Sequence, residues 1–214
     1  MKHKPILIIC GEPNSIFSEI IVKTFRKYKN KKPIILIGSY DLLCGQIKKI
    51  KINQNLNMIT FTNKKFHNLK KNKLNILNVN FRFKKVFEKI SSKSNIYIAN
   101  CFEKAFEIIK SIKISGLING PISKKYFLKN KYLGITEYLS KKFNIKSNYS
   151  MLIYNKDLSV SPITTHLPIS KVPKQLSKNL IISKILLLDN FYKVKLNKKP
   201  KIAITGLNPH CENF

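Results

Sequence analysis

The sequence predicts an α/β protein built on a parallel β-sheet with helices on both faces. Residues 6–10 and 33–37 are short apolar runs rich in β-branched side chains, which is typical of buried strands in a parallel sheet. Residues 15–27 carry apolar side chains at helical spacing, and residues 41–47 are predicted to form a second helix. This β-α-β-α order favours a parallel sheet whose crossover helices cover both of its faces.

The pattern is weaker between residues 48 and 94, where Asn and Lys are dense. Residues 74–83 are predicted to be extended, and we expect edge or antiparallel strands in this region. Residues 96–112 then carry Ala, Phe and Ile at helical spacing, which predicts a long amphipathic helix. Residues 116–119 follow as a short strand that runs into a Gly-Pro turn.

The second half alternates in the same way, and no Gly-, Ser- or Pro-rich linker divides the chain. We therefore expect residues 1–214 to form one region with no clear internal boundary. Helices are predicted at residues 123–128, 136–143 and 177–191, adjacent strands at residues 150–154 and 158–164 around a turn at residues 155–157, and a last strand at residues 201–205.

The formal net charge of +31 is the strongest feature of the composition. Such a charge usually indicates a nucleic-acid or anionic-membrane partner. However, Arg26 and Arg82 are the only arginines, and the lysines are spread along the whole chain. Because bidentate contacts to phosphate and guanine favour arginine, we expect no nucleic-acid partner and attribute the charge to a bias towards Lys, Asn and Ile. The positive field would still attract small anionic substrates.

The sequence predicts neither a membrane span nor a signal peptide. No apolar run reaches the roughly 18 residues of a membrane span, and the apolar run after the basic start covers only residues 6–10. The four cysteines are scattered without a paired spacing, which predicts reduced and mostly buried thiols. We expect a cytoplasmic protein without a membrane partner.

Two of the four histidines follow predicted strands. His166 comes after the strand at residues 158–164, and His210 comes after the strand at residues 201–205. Because ligands of α/β proteins bind beyond the carboxyl ends of strands, these two imidazoles could share a metal ion. A structural role for each histidine is the alternative at this point, and His3 and His67 are predicted to be solvated.

Five short segments, spread over nearly the whole chain, carry a more specific signal. They are residues 11–20, which begin Gly-Glu-Pro; residues 120–124, Gly-Pro-Ile-Ser-Lys; residues 134–139, Gly-Ile-Thr-Glu-Tyr-Leu; residues 164–169, Thr-Thr-His-Leu-Pro-Ile; and residues 206–210, Gly-Leu-Asn-Pro-His. In this order they resemble the signatures of the 4-hydroxythreonine-4-phosphate dehydrogenase family. The ordered set is far more specific than any one segment.

The resemblance implies a two-lobed α/β fold, similar to isocitrate and isopropylmalate dehydrogenases, with interleaved lobes and the site in the cleft. It also implies a homodimer with active sites at the subunit interface. The family oxidises 4-phosphooxy-L-threonine, a small phosphorylated amino acid, in pyridoxal phosphate biosynthesis. NAD or NADP accepts the hydride, and the product, 2-amino-3-oxo-4-phosphooxybutanoate, loses carbon dioxide to give 3-amino-2-oxopropyl phosphate.

The same resemblance assigns roles to individual residues. His166 and His210 match the family's ligands of a divalent metal such as zinc, magnesium or cobalt, which would make the substrate alcohol easier to deprotonate. Thr136 matches a threonine that contacts the substrate. Lys124 and Glu12 lie in matched segments and are candidates for lining the site, although Lys124 could equally be an ordinary surface lysine.

The chain departs from the family pattern in two respects. Ile135 stands where the family motif usually has a histidine that contacts the phosphate end of the substrate. Loss of that charged donor would remove about 1.5–3 kcal/mol of binding, so a related phosphorylated hydroxy acid is an alternative substrate. The family's third metal histidine and most of its dinucleotide site come later than residue 214. We therefore expect a fragment, the first two-thirds of a longer enzyme, with a catalytically inactive remnant as the alternative.

Overall fold

The structure is a computed structural model, and it divides into two compact units, residues 1–129 and residues 130–214. The first unit is built on a mostly parallel sheet, so the predicted α/β class is confirmed. The predicted interleaving of two lobes stays a prediction. The residues that the structure describes are 3–28, 32–129, 131–145 and 149–208.

The sheet of the first unit has six strands. The strands are β1 (Ile6–Ile9), β2 (Ile34–Gly38), β3 (Leu56–Thr62), β4 (Lys65–His67), β5 (Leu74–Asn78) and β6 (Gly116–Asn119). Their order across the sheet is β4-β3-β5-β2-β1-β6. All neighbouring pairs are parallel except the β3–β4 hairpin.

Three long helices pack on this sheet: α1 (Phe17–Lys27), α2 (Tyr40–Lys49) and α3 (Asn95–Ser111). Side chains of α1 and α2 form one buried cluster with Ile8 and Leu36. Because successive strand residues point to opposite faces, Leu7 and Ile35 lie on the other face, and α3 packs against β1 and β2. Helices therefore cover both faces, as the β-α-β-α pattern predicts.

The region between residues 48 and 94 agrees with expectation only in part. The β3–β4 hairpin lies at an edge and is antiparallel, which confirms the prediction there. The prediction is wrong for β5, which is parallel to both neighbours and lies between β3 and β2. The apolar pattern of Leu74–Asn78 indicates a buried strand but carries no information about which strands accept its hydrogen bonds.

The second unit is mainly helical, with α4 (Ile135–Lys142), α5 (Val172–Gln175) and α6 (Lys178–Phe191). The predicted helices at residues 136–143 and 177–191 are confirmed. The predicted strand pair is reduced to one antiparallel bridge, between Ile153 and Val160.

The last predicted strand, at residues 201–205, is wrong within the described residues, where this segment is exposed and has no strand geometry. A strand forms only where a neighbour accepts its backbone hydrogen bonds, and no described segment pairs with residues 201–205.

The described cysteines, Cys10, Cys44 and Cys101, are free thiols and at least half-buried, as the sequence predicts. Cys211 lies outside the described residues. Across the ranges that the structure describes, no helix combines the length and the apolar character that crossing a bilayer requires.

Candidate functional site

At the carboxyl ends of β1 and β6, two glycines bring the following loops into backbone contact. Gly11 has a φ of +71°, and a Cβ at this position would lie 2.3 Å from the carbonyl oxygen of Pro121. A Cβ on Gly120 would lie 2.4 Å from the carbonyl oxygen of Cys10. Gly11 therefore has no tolerable replacement here, because a side chain would meet rigid backbone in a left-handed conformation.

Glu12 follows directly and ties this crossing to α3. Its backbone N–H donates to Pro121 O at 2.7 Å, and its side chain is 2% exposed. Oε2 accepts a hydrogen bond from Ser94 Oγ at 2.7 Å, and Oε1 accepts one from the backbone N–H of Asn14 at 3.2 Å. With both oxygens engaged, Glu12 holds three segments together at the carboxyl edge of the sheet.

Lys124 begins one turn of π-helix, Lys124–Leu128, after Ser123, whose hydroxyl accepts from the backbone N–H of Tyr126. The helix predicted at residues 123–128 is present in this form. The Lys124 residue is exposed, and the contacts of the described chain give its ammonium group no carboxylate. Its role in lining a site stays a prediction, as does that of Glu12.

In the second unit, the amino end of α4 brings three predicted residues together. Gly134 precedes the helix, and Ile135 and Thr136 form its first turn, each half-buried. A Cβ on Gly134 would lie 3.2 Å from His166 Nε2 and 3.0 Å from Glu137 Oε2. His166, which has a φ of +56°, therefore packs beside the turn that carries Ile135 and Thr136.

Glu137 is a member of this cluster that was not predicted as a site residue. Its Oε1 accepts a hydrogen bond from Thr165 Oγ1 at 3.2 Å. Its Oε2 is buried and has no hydrogen-bond partner among the described residues. The signal was available, because Glu137 follows Thr136 in the matched segment and is an acidic residue in the first turn of α4.

The predicted metal site can be compared with this cluster only in part. His210 lies outside the described residues, so the metal shared by His166 and His210 stays a prediction. Within the described ranges, no three His, Cys, Asp or Glu side chains converge in a way that could hold a metal ion. His166 and the unpartnered Glu137 oxygen are chemically suited to a divalent cation, although catalytic sites usually have three protein ligands.

Lys184 on α6 is a second residue that was not predicted, and it is buried. Its ammonium group donates to the carbonyl oxygen of Tyr149 and lies 4.8 Å from the centre of the Tyr149 ring. Desolvation lowers the pKa of Lys184. In a chain this rich in lysine, the sequence gives no signal that separates Lys184 from the surface lysines.

Comparison with known proteins places these residues in a family. The sequence profile described as "Pyridoxal phosphate biosynthetic protein PdxA" matches residues 29–213. The chain belongs to the PdxA family. The match contains the segments at residues 120–124, 134–139, 164–169 and 206–210, and the resemblance to 4-hydroxythreonine-4-phosphate dehydrogenases is confirmed.

Curated relatives carry more than one name. A 4-hydroxythreonine-4-phosphate dehydrogenase from Sulfurihydrogenibium sp. (strain YO3AOP1) is 32% identical over 97% of this chain and 64% of its own length. A D-threonate 4-phosphate dehydrogenase from Salmonella typhimurium is 24% identical over 99% of this chain and 65% of its own length. This PdxA-family chain thus spans less than two-thirds of the length of these relatives.

The fold agrees with a solved structure of the same family. A protein from Salmonella typhimurium, described as a 4-hydroxythreonine-4-phosphate dehydrogenase, superposes with a TM-score of 0.83 at 25% identity. The similarity covers 99% of this chain and 66% of the other. The mixed α/β fold with its mostly parallel sheet is therefore the family's fold over the part that this chain spans.

Proposed function

We propose that this protein is an NAD(P)- and divalent-metal-dependent 4-hydroxythreonine-4-phosphate dehydrogenase of pyridoxal phosphate biosynthesis. It would oxidise 4-phosphooxy-L-threonine to 2-amino-3-oxo-4-phosphooxybutanoate, which decarboxylates to 3-amino-2-oxopropyl phosphate. The observation that carries the proposal is the family match over residues 29–213, together with the cluster of His166, Thr136 and Glu137 at the amino end of α4.

The residues of this chain would bind and orient the substrate. Thr136 lies in the first turn of α4, where helix N–H groups favour an anionic ligand and its hydroxyl can donate a hydrogen bond. The net charge of +31 would attract a phosphorylated substrate. When bound, a divalent cation supplies a Lewis acid for the substrate oxygen, and the nicotinamide supplies the hydride acceptor.

We assign His166 and His210 as two protein ligands of that cation. A third ligand and most of the dinucleotide site would come from outside the matched region, and we expect the enzyme to act as a homodimer. Over its whole length we expect the two-lobed architecture of isocitrate and isopropylmalate dehydrogenases, acting in the cytoplasm.

Ile135 favours a second candidate substrate. It occupies the position where the family usually has a phosphate-contacting histidine, and one relative of similar coverage is a D-threonate 4-phosphate dehydrogenase. D-threonate 4-phosphate differs from 4-phosphooxy-threonine mainly in having a hydroxyl in place of the amino group. The same oxidation, in which the hydride leaves C3 and the proton leaves the C3 hydroxyl, would apply to both compounds.

The test is a spectrophotometric assay of NADH or NADPH formation with each substrate, by a purified protein that includes the regions proposed to supply the third ligand and the dinucleotide site. We expect turnover that chelation abolishes, that added Zn²⁺, Mg²⁺ or Co²⁺ restores, and that His166→Ala removes. Turnover of D-threonate 4-phosphate alone would move the assignment to the second substrate. A folded protein without turnover of either compound would overturn the proposal in favour of an inactive remnant.

A further inference from the structure

We propose that Glu137 is a positioning residue, which holds the turn carrying His166 in its metal-binding geometry through the hydroxyl of Thr165. The inference rests on the proposed function, because the cation is the one expected at His166. Glu137 belongs to α4, whereas Thr165 and His166 belong to an irregular segment. A bond between the two fixes the irregular segment to the helix.

The backbone at His166 explains why such a support is needed. Its φ of +56° is in the left-handed region, which residues with a Cβ adopt at an energetic cost and keep only where neighbouring contacts hold them. Thr165 is the residue immediately before it, and its Oγ1 donates to Glu137 Oε1 at 3.2 Å. The anchored hydroxyl thus restrains the peptide that leads into His166.

The second carboxylate oxygen of Glu137 is also close to His166. Oε2 of Glu137 is buried without a hydrogen-bond partner in the described part of the chain, and a buried carboxylate oxygen in that state is unfavourable. It lies 3.0 Å from the point where a Cβ of Gly134 would be, and His166 Nε2 lies 3.2 Å from that same point. A cation held by His166 would therefore lie near this unpartnered carboxylate oxygen.

A positioning role can be distinguished from a general contribution to stability, because Thr165 and Glu137 both have conservative replacements. Thr165→Ser and Glu137→Gln keep a hydroxyl donor and a side-chain carbonyl acceptor, whereas Thr165→Val and Glu137→Ala remove the hydrogen bond. Loss of a partner that orients a metal ligand typically lowers metal affinity by about 10- to 100-fold. Because the two side chains share one bond, the effects should not add in the double variant.

The experiment measures cobalt(II) binding to the protein by its visible absorption spectrum and its dissociation constant. His166→Ala establishes that the signal comes from this site. Asp189→Ala is the matched control, because Asp189 is a carboxylate of the same unit whose ion pair with Lys193 is exposed. Thermal unfolding of each variant, without metal, checks that the fold is retained.

We expect Thr165→Val and Glu137→Ala to weaken cobalt binding and to alter its spectrum. Thr165→Ser and the Asp189 control should remain within about threefold of the parent protein, and Thr165→Val should add little to Glu137→Ala. Wild-type affinity and spectrum in Thr165→Val, with binding still lost in His166→Ala, would overturn the positioning role while the proposed function stands, even if Glu137→Ala weakens binding.

A second measurement tests the positioning role even if the proposed function is wrong. If the parent protein does not bind cobalt, or if binding survives His166→Ala, the metal assignment fails by itself. The imidazole resonances of His166 in the metal-free protein then decide the positioning role. A shift of these resonances in Thr165→Val that Thr165→Ser does not show supports the role, and unchanged resonances refute it.

Discussion

Ser94 Oγ donates a hydrogen bond of 2.7 Å to Oε2 of Glu12, in a contact that bridges 82 positions of the sequence. Both residues are buried. The bond connects the loop after β1 to the residue that precedes α3, at the edge of the sheet where Gly11 and Gly120 cross. Glu12 therefore has a structural role at this edge of the sheet.

The first prediction concerns this structural role. Glu12→Ala leaves the backbone N–H of Asn14 without its partner and opens a small void beside Ser94. We expect the free energy of unfolding to fall by about 1–3 kcal/mol, measured by urea denaturation. Glu19→Ala, which removes an exposed pair with Lys23, is the control and should change it by less than about 1 kcal/mol. Equal effects of the two changes would show that Glu12 does not have this role.

The glycine crossing gives a second prediction. Gly11→Ala places an alanine in the left-handed conformation, and its Cβ would lie 2.3 Å from Pro121 O. We therefore expect the free energy of unfolding to fall by more than about 2 kcal/mol. Gly116→Ala has open space around the new Cβ and should be neutral or stabilising by about 0.4–1 kcal/mol. Differential scanning calorimetry of the two variants measures the contrast. A Gly11→Ala protein as stable as Gly116→Ala would contradict the backbone contact.

Gly134→Ala is predicted to behave differently from Gly11→Ala. Its new Cβ would meet the ends of two side chains, Glu137 Oε2 at 3.0 Å and His166 Nε2 at 3.2 Å. Because these ends can move, we expect stability to change by less than about 1 kcal/mol while the imidazole resonances of His166 shift and cobalt affinity falls. A variant with unshifted His166 resonances would mean that His166 does not pack on Gly134 in solution.

A fourth prediction follows from the half-buried residue Cys10. Burial raises the pKa of Cys10 from 9.0 to about 12. Above pH 9 the unfolded chain loses this proton while the folded chain keeps it, so the free energy of unfolding should fall as pH rises from 9 towards 12. The slope from one such group is at most about 1.4 kcal/mol per pH unit. Denaturation of the parent and of Cys10→Ala across this range should show a shallower decline in the variant, and parallel curves would refute the assignment.

Substrate choice gives the last prediction. Ile135→His introduces the side chain that the motif resemblance implies at this position, and a charged donor to phosphate contributes about 1.5–3 kcal/mol. We expect kcat/KM for 4-phosphooxy-L-threonine to rise by about 10- to 100-fold, with Ile96→His as an exposed control on α3. No gain relative to that control would show that residue 135 does not reach the phosphate.

The sequence predicts the elements of the first unit better than their arrangement. The strand at Leu74–Asn78 is evident from its apolar side chains, yet its parallel position between β3 and β2 depends on partners that are distant in sequence. Residues 201–205 show the opposite case, because their short apolar run favours a strand locally but no described neighbour pairs with it. Which strands pair depends on residues that are far apart in the sequence, so the local pattern of one segment does not reveal it.

At the candidate site, too, the sequence indicates some residues and misses others. The motif resemblance identifies His166 and Thr136, and the structure places His166 beside the helix turn that carries Thr136. Glu137 and Lys184 are not distinguished by residue type, since one is an ordinary helix acid and the other is one lysine among many. What sets these two residues apart is burial and single hydrogen bonds, from Thr165 to Glu137 and from Lys184 to Tyr149, and these arise only in the folded chain.

The position of β1 between β2 and β6 has a consequence for how the chain is made on the ribosome. The hydrogen bond from Ser115 Oγ to Lys4 O, just before these strands begin, spans 111 positions of sequence. One edge of β1 therefore stays unpaired while all the intervening residues are synthesised. An open apolar strand edge invites pairing with other chains, so slowing translation before residue 119 should increase aggregation of the nascent chain.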